Sequence, residues 1–297
     1  MKEGMNKTYI PDQEEEKKLI RREYRSMLRA LGSGISKVDK DNIRLAFDMA
    51  VEAHKDMRRK SGEPYILHPI AVAKIVAAEI GLGPKAVVCA LLHDVVEDTE
   101  MTLEDMERTF DKQVARIIDG LTKIAGVFDL KSSIQAENFR KLLLTMTDDI
   151  RVILIKMADR LHNMRTLDSM PRHKQLKIAS ETSFLYAPLA HRMGLYAIKT
   201  EMEDLVMKYT EPEQYKLIAS KLAEKKRERS RYVNEFIKPI RKLLEERGFE
   251  FEIYGRPKSI HSIWNKMRTK AVSFEEVYDL FAIRIILKSK PEFEKSD

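Results

Sequence analysis

The stretch that decides the fold is ALLHDVVEDTE, residues 90–100, which directly continues the apolar run AVVCALL. We predict that both lie on one buried helix over residues 84–98. On that helix His93 and Glu97 would share one column and Asp94 and Asp98 the next, because residues four apart lie on the same face. Four ionisable groups on a buried helix are costly unless they are paired or bind a ligand. The alternative is a helix end that turns toward solvent.

Length and composition describe a helix-rich globular protein with room for two domains. The 297 residues are 43% apolar and 34% charged, which is typical of a folded chain. The sequence contains neither an apolar run of transmembrane length nor a signal-peptide core near its N-terminus. Its single cysteine, Cys89, excludes an internal disulfide and indicates a reducing compartment, with a role in core packing. We therefore expect a cytoplasmic protein with no membrane partner.

The net charge of +7 permits an anionic partner, which could be a nucleic acid, a nucleotide or an acidic protein. The densest basic run is KLAEKKRERSR, residues 221–231, and it lies within a helical pattern. A solvated helix face explains such a run better than a nucleic-acid patch does.

The hydrophobic pattern divides the chain into helical and mixed parts. Helical periodicity continues from residue 13 to about 247, and after Gly248 the segments FEFEIYG and LFAIRIIL have strand patterns on either side of a helix in RPKSIHSIWNKMRTK. The second helix should end at Gly62, and later helices are predicted at 69–80, 84–98, 102–109, 111–124, 134–148, 150–167, 173–193, 195–208, 212–228 and 230–247. We predict a mainly α protein with a helical domain over 1–200, a helical connector over 201–247 and the incomplete start of an α+β domain over 248–297.

Two further segments contain acids and histidines that core packing does not explain. In RRKSGEPYILHP, residues 58–69, a histidine precedes the proline that would open a helix, and LIKMADRLHNMRTL, residues 154–167, places Asp159 and Asn163 on one helix face. The candidate metal ligands are His68, His93, Asp94 and Asp159. Two imidazoles with two carboxylates suit manganese, iron or zinc. Such an ion lowers the pKa of a bound water, and Glu97 would then orient or deprotonate that water.

Five segments, taken in order, resemble the N-terminal half of the RelA/SpoT family, the enzymes that make and hydrolyse the alarmones ppGpp and pppGpp. They are SGEPYILHP, LLHDVVEDT, IKMADRLHNMRTL, YAPLAHRMGLYAIKTEMEDL and GRPKSIHSIWNKM…FEEVYDLFAIRII, within residues 42 to 288. The resemblance implies that residues 1–200 form an HD-type all-helical hydrolase domain that binds Mn²⁺. It also implies that residues 248–297 are the truncated start of a (p)ppGpp synthetase domain.

The resemblance implies roles for individual residues of the hydrolase domain. Glu97 and Asp98 match the acidic pair that the family requires for hydrolysis, and the division of their roles between base and acid stays open. Residues that match the nucleotide-binding positions are Arg59, Lys60, Ser61, Asn163 and Thr166. The metal ligands would be the four candidates named above. Met57 departs from the family pattern, which usually has glutamine there.

The resemblance also implies the identity of the second domain. Arg256, Lys258 and Lys266 match basic residues that bind ATP, and Asp279 matches an aspartate that binds Mg²⁺ in synthesis. His261 replaces the more usual tyrosine. The remaining synthetase residues would follow Asp297, so we expect the full-length protein to synthesise ppGpp but this fragment not to do so. The ribosome or other regulators would be reached only through further C-terminal domains.

The leading hypothesis is metal-dependent hydrolysis of the 3′-diphosphate of ppGpp and pppGpp to GDP or GTP and pyrophosphate, as in stringent-response alarmone turnover. One alternative is an HD phosphohydrolase that acts on another nucleotide, against which the RRKSGEPY segment argues. A second alternative is a non-catalytic helical module that binds nucleotide or RNA. The basic charge supports that module weakly, whereas the complete set of ligands and acids argues against it.

Overall fold

The computed structural model describes residues 13–32, 34–128, 149–224 and 226–288. These residues are mainly helical, so the prediction of a mainly α protein is confirmed. The chain divides into two compact units with the boundary between Lys199 and Thr200. Within the described ranges, no helix combines the length and the apolar character needed to cross a bilayer.

The first unit is built from helices and short helical turns. The helices are α1 Gln13–Ala30, α2 Lys37–Ala53, α3 Leu67–Ile75, α4 Pro84–Leu91, α5 Val95–Asp98, α6 Leu103–Thr109, α7 Lys112–Phe128, α8 Ile150–Arg165, α9 Arg172–Glu181 and α10 Ala187–Arg192. A π-helical turn, Val76–Ile80, continues α3, and another, Thr182–Tyr186, joins α9 to α10. A 3₁₀ turn, Leu167–Ser169, follows α8.

The boundary between the units falls within α11, Tyr196–Thr210. The second unit continues with α12 Pro212–Glu224, α13 Lys226–Glu246, β1 Phe251–Pro257, α14 Ile260–Lys270, a 3₁₀ turn Phe274–Glu276 and β2 Phe281–Leu287. The predicted helix over 134–148 lies outside the described residues.

Side-chain caps set where several helices of the first unit begin. The Ser36 hydroxyl accepts the Asp39 N–H at 3.1 Å at the start of α2, and the Asp149 carboxylate accepts the Arg151 N–H at 3.0 Å at the start of α8. Thr102 forms a reciprocal capping box at the start of α6. These caps satisfy backbone donors that have no partner inside the helix.

The core of the first unit is centred on α3, α4 and α8. Helix α3 packs against α1, α4 and α8, while α2 packs against α4 and α7 packs against α8. Every residue of α4 from Ala86 to Leu91 is buried. Cys89 is a free, buried cysteine, as predicted from the apolar run, and burial raises the pKa of its thiol to about 12. The packing brings the start of α3, the end of α4 and the face of α8 together.

The prediction of one helix over residues 84–98 is wrong. Helix α4 ends at Leu91, and α5 begins separately at Val95. The His93 ring lies 2.8 Å from the Ala90 carbonyl oxygen, which in a continuous helix would accept the Asp94 N–H. The side chain therefore competes with the helical backbone bond, and the helix breaks there. The proposed shared column of His93 and Glu97 does not exist.

The predicted extension of the second helix to Gly62 is also wrong, because α2 ends at Ala53. The backbone beyond that point turns back and bonds to itself through one isolated β-bridge, between Arg58 and Pro64, instead of continuing a helix. The Tyr65 N–H donates to the Met57 carbonyl and the Arg59 N–H to the Glu63 carbonyl, both at 3.0 Å. Residues 57–65 thus form a compact loop before α3.

In the second unit, β1 and β2 pair antiparallel, and α13 packs on β1. Gly255 permits this packing, because a Cβ atom there would overlap the Val233 side chain. A second cluster joins α11, α12 and α14, and its buried members are Met207, Ile218, Ile263, Phe274 and Val277. Parts of the segment 201–247 thus pack with residues 251–287. The bounds 1–200, 201–247 and 248–297 stay predictions.

Candidate active site

The four predicted metal ligands come from three places in the first unit. His68 lies in the first turn of α3, His93 and Asp94 in the turn between α4 and α5, and Asp159 on α8. One ligand atom from each of His68, His93 and Asp94 lies within 4.8 Å of the other two. The fourth ligand joins this cluster through His68, whose Nε2 is 3.3 Å from Asp159 Oδ1.

The spacing within this cluster fits a bound ion. His93 Nε2 is 3.0 Å from Asp94 Oδ2. Two ligand atoms that each lie about 2.1 Å from one ion, at right angles, are themselves about 3 Å apart. The described residues give His93 Nε2 no hydrogen bond although it is fully buried. An unbonded buried nitrogen is rare, and an ion at this point would satisfy it.

Hydrogen bonds hold both imidazoles with Nε2 directed at the cluster. His93 Nδ1 lies 2.8 Å from the Ala90 carbonyl, which can only accept, so Nδ1 carries a proton. His68 Nδ1 lies 2.8 Å from His162 Nδ1. Burial lowers the pKa of His162 to about 3, so that ring is neutral and can accept. Metal-ligating histidines characteristically use their second nitrogen in this way.

The carboxylates of the cluster are ionised despite their burial. Burial raises the pKa of Asp159, but the hydrogen bond with His68 and the charge of Lys156 outweigh it, so the net pKa lies far below its ordinary value. Lys156 is itself buried and lies 3.8 Å from Asp159 Oδ2. The pKa of Asp94 is likewise low, because the charge of His93 outweighs burial. Two ionised carboxylates beside two imidazoles suit a divalent cation.

Tyr65 contacts the cluster, and the sequence did not predict a role for this residue. Its hydroxyl donates to Asp94 Oδ2 at 2.7 Å. Burial and the neighbouring carboxylate raise the pKa of the phenol, so it stays protonated as a donor. His162, which contacts His68 Nδ1, is a second residue of this kind. Both lie inside the quoted segments, but sequence spacing does not predict which atoms meet.

Glu97 and Asp98 end α5, which is built directly on Asp94. The N–H groups of both residues donate to the Asp94 carbonyl, at 3.1 and 2.9 Å. Glu97 is exposed, and partial burial raises its pKa. Partial burial also raises the pKa of Asp98, whose carboxylate faces the His54 ring at 3.4 Å. The acidic pair therefore lies within one helical turn of the cluster.

Three of the five predicted nucleotide-binding residues are linked by direct contacts. Arg59 Nη2 donates to Asn163 Oδ1 at 3.2 Å and to Thr166 Oγ1 at 3.0 Å. The Asn163 amide in turn donates to Asp159 Oδ1 at 2.7 Å. The loop before α3 is thus joined to α8, and through Asn163 to the cluster itself.

A cavity of about 580 Å³ lies over these contacts. Its lining includes His68, Asp94 and Asp159 of the cluster, together with Arg59, Lys60, Asn163 and Thr166. Lys174 and Lys177 of α9 add further positive charge. Ser61 is exposed, bonds Glu63 at 3.1 Å and is not among the lining residues. Cationic groups beside carboxylate ligands suit a polyanion that binds together with a metal.

Three of the four predicted synthetase residues meet in the second unit. Lys258 Nζ is 2.6 Å from Asp279 Oδ2, and Lys266 also bonds this carboxylate. The two lysines lower the pKa of Asp279 to about 2. Arg256 lies on β1 and is exposed. The carboxylate is therefore neutralised by lysines in this structure.

Two family descriptions match different parts of the chain. The family described as HD domain matches residues 46–196, and the region found in RelA / SpoT proteins matches residues 255–296. The chain is 44% identical to the guanosine-3′,5′-bis(diphosphate) 3′-pyrophosphohydrolase of Aquifex aeolicus, over 85% of this chain and 36% of that protein. It is 44% identical to the bifunctional (p)ppGpp synthase/hydrolase SpoT of Escherichia coli, over 82% of this chain and 35% of that protein.

A third relative is named for synthesis. It is the GTP pyrophosphokinase of Myxococcus xanthus, 43% identical over 85% of this chain and 34% of that protein. The chain therefore spans about a third of the length of these curated relatives. Because the HD-domain match alone covers half of the residues, and the RelA/SpoT region follows it in order, the chain belongs to the RelA/SpoT family of HD-domain proteins.

Proposed function

We propose that this chain hydrolyses the 3′-diphosphate of ppGpp and pppGpp to GDP or GTP and pyrophosphate, and so removes the alarmones of the stringent response. The observation that carries the proposal is the double contact of Asn163, which accepts from Arg59 and donates to Asp159. One side chain thereby couples a cationic nucleotide-binding loop to the metal cluster. The relatives named as 3′-pyrophosphohydrolases support the same reaction.

The residues that would hold the metal are His68, His93, Asp94 and Asp159. Their mixed imidazole and carboxylate set suits Mn²⁺, and the buried Nε2 of His93, which has no hydrogen bond within the described residues, supports an ion at this point. A divalent cation here would lower the pKa of water and so supply a nucleophile near neutral pH.

The remaining site residues act on the nucleotide and on protons. Arg59 and Lys60 bind the anionic groups, while Asn163 and Thr166 line the same cavity. Glu97 serves as base or water-positioner for attack on the phosphorus attached to the ribose 3′-oxygen. Asp98 either supports Glu97 or protonates the leaving 3′-oxygen. The P–O3′ bond breaks, the 3′-oxygen departs with GDP or GTP and takes up a proton, and pyrophosphate is released with the oxygen of the attacking water.

We assign this activity to residues 1–200, with 201–247 as a connector and 248–297 as the start of a synthetase domain. Arg256, Lys258, Lys266 and Asp279 belong to that start, with Mg²⁺ as the ion used in synthesis by the whole protein. The cytoplasmic location inferred from Cys89 stays a prediction.

Incubation of the purified chain with ppGpp and Mn²⁺, followed by chromatographic identification of the products, tests the proposal. We expect GDP and pyrophosphate in equal amounts, and no products when Mn²⁺ is removed by a chelator. Turnover of nucleotides without a 3′-diphosphate but not of ppGpp would favour a different phosphohydrolase. Tight ppGpp binding without products, at any divalent metal concentration, would favour a non-catalytic module.

A further inference from the structure

His54 is a buried histidine at the end of α2, and one of its ring nitrogens has no hydrogen bond within the described residues. The residue is 1% exposed. Its Nδ1 lies 2.8 Å from the Ala50 carbonyl oxygen, which can only accept, so Nδ1 carries a proton. Its Nε2 is buried and has no hydrogen bond within the described residues. This nitrogen faces Asp98 Oδ2 at 3.4 Å.

The surroundings fix the direction of this ring. Helix α2 packs against α5, which carries Asp98. The Tyr65 ring covers the imidazole, with centroids 4.9 Å apart, and the hydroxyl of the same tyrosine bonds Asp94. A buried polar atom without a hydrogen bond destabilises the folded protein. An apolar side chain would fill this position without that cost, so packing alone does not account for histidine here.

We propose that His54 is a positioning residue that holds the carboxyl group of Asp98 beside the metal cluster. The inference rests on the proposed function, because Asp98 has its role only in that hydrolysis. The proposed hydrogen bond closes the present 3.4 Å separation, and either Nε2 donates a proton to the Asp98 carboxylate or the carboxyl group donates one to Nε2. In both cases one proton links the two side chains and restricts rotation of the carboxyl group. His54 itself does not contact the substrate.

The test compares His54→Ala with His54→Gln, whose amide nitrogen reaches about the place of Nε2. For His54→Ala we expect kcat for ppGpp hydrolysis to fall about 10- to 100-fold, the usual scale for a lost supporting contact. The KM for ppGpp and the amount of bound Mn²⁺ should stay within twofold. His54→Gln should recover most of the activity. Lys55→Ala is the control, because Lys55 is exposed and pairs with Glu52 on the surface.

Asp98→Asn separates positioning from packing. If His54 acts through Asp98, His54→Ala should reduce kcat less than threefold in the Asp98→Asn background. Equal loss in both backgrounds, with no recovery by His54→Gln, would overturn the proposal and leave the role of Asp98 intact. Full activity of Asp98→Asn alone would overturn both roles. A wild-type chain that does not hydrolyse ppGpp would refute the proposed function and this inference together.

Discussion

Replacement of Tyr65 by phenylalanine tests the metal cluster without touching a ligand. The substitution removes only the hydroxyl that donates to Asp94 Oδ2 at 2.7 Å. A hydrogen bond to a charged group contributes about 1.5–3 kcal/mol, and a tenfold change in affinity corresponds to about 1.4 kcal/mol. We therefore expect Tyr65→Phe to weaken Mn²⁺ binding about 10- to 100-fold, which agrees with the usual effect of removing a partner of a metal ligand.

Calorimetric titration of the metal-free chain with Mn²⁺ measures this directly and does not depend on catalysis. Tyr196→Phe is the matched control, because it removes the same hydroxyl group from a half-exposed residue whose ring meets the His191 ring edge to face. Hydrolysis by Tyr65→Phe should recover when Mn²⁺ is raised to saturation. An unchanged Mn²⁺ affinity, with the fold intact by circular dichroism, would show that the Tyr65 hydroxyl does not support Asp94 as a metal ligand.

Three further substitutions separate the roles within the site. Asp94→Ala should abolish both Mn²⁺ binding and hydrolysis while helical content survives, and full activity after chelation and resupply of Mn²⁺ would remove Asp94 from the ligand set. Glu97→Gln should keep the metal and lower kcat by about two orders of magnitude, whereas a loss under about threefold would transfer the base role to Asp98. Arg59→Ala should raise KM for ppGpp more than it lowers kcat, and a parallel loss of bound metal would show a structural role instead.

The sequence predicted the helical architecture, and it named side chains that the fold brings close together, but it did not predict their geometry. His68 and Asp159 are 3.3 Å apart although more than ninety residues separate them in the chain. Their approach depends on packing of α3 against α8, which periodicity does not reveal. The prediction of a continuous helix through His93 is wrong for a local reason. The His93 ring bonds the Ala90 carbonyl, which would otherwise accept a helical backbone N–H. Propensity and hydrophobic period contain no information on that competition.

The buried Nε2 atoms of His54 and His93, which have no hydrogen bond within the described residues, both belong to histidines that follow the end of a helix. The last carbonyl groups of a helix have no partner within it. In α4 the His93 ring bonds such a carbonyl, that of Ala90, whereas in α2 the His54 ring bonds the Ala50 carbonyl, which also accepts the His54 backbone N–H at 3.2 Å. Each contact places the proton on Nδ1 and directs Nε2 away from the helix, toward a carboxylate.

Each of these histidines therefore has two roles, because its side chain bonds the end of its own helix and also faces the site. A histidine that caps its own helix has its ring orientation set by the backbone, so Nε2 is positioned before any ligand binds. At His93 that nitrogen faces the other proposed metal ligands, and at His54 it faces Asp98. Such preorganisation reduces the rearrangement needed when charge develops in the transition state. The break between α4 and α5 is therefore part of the site's construction, and a continuous helix over residues 84–98 would remove it.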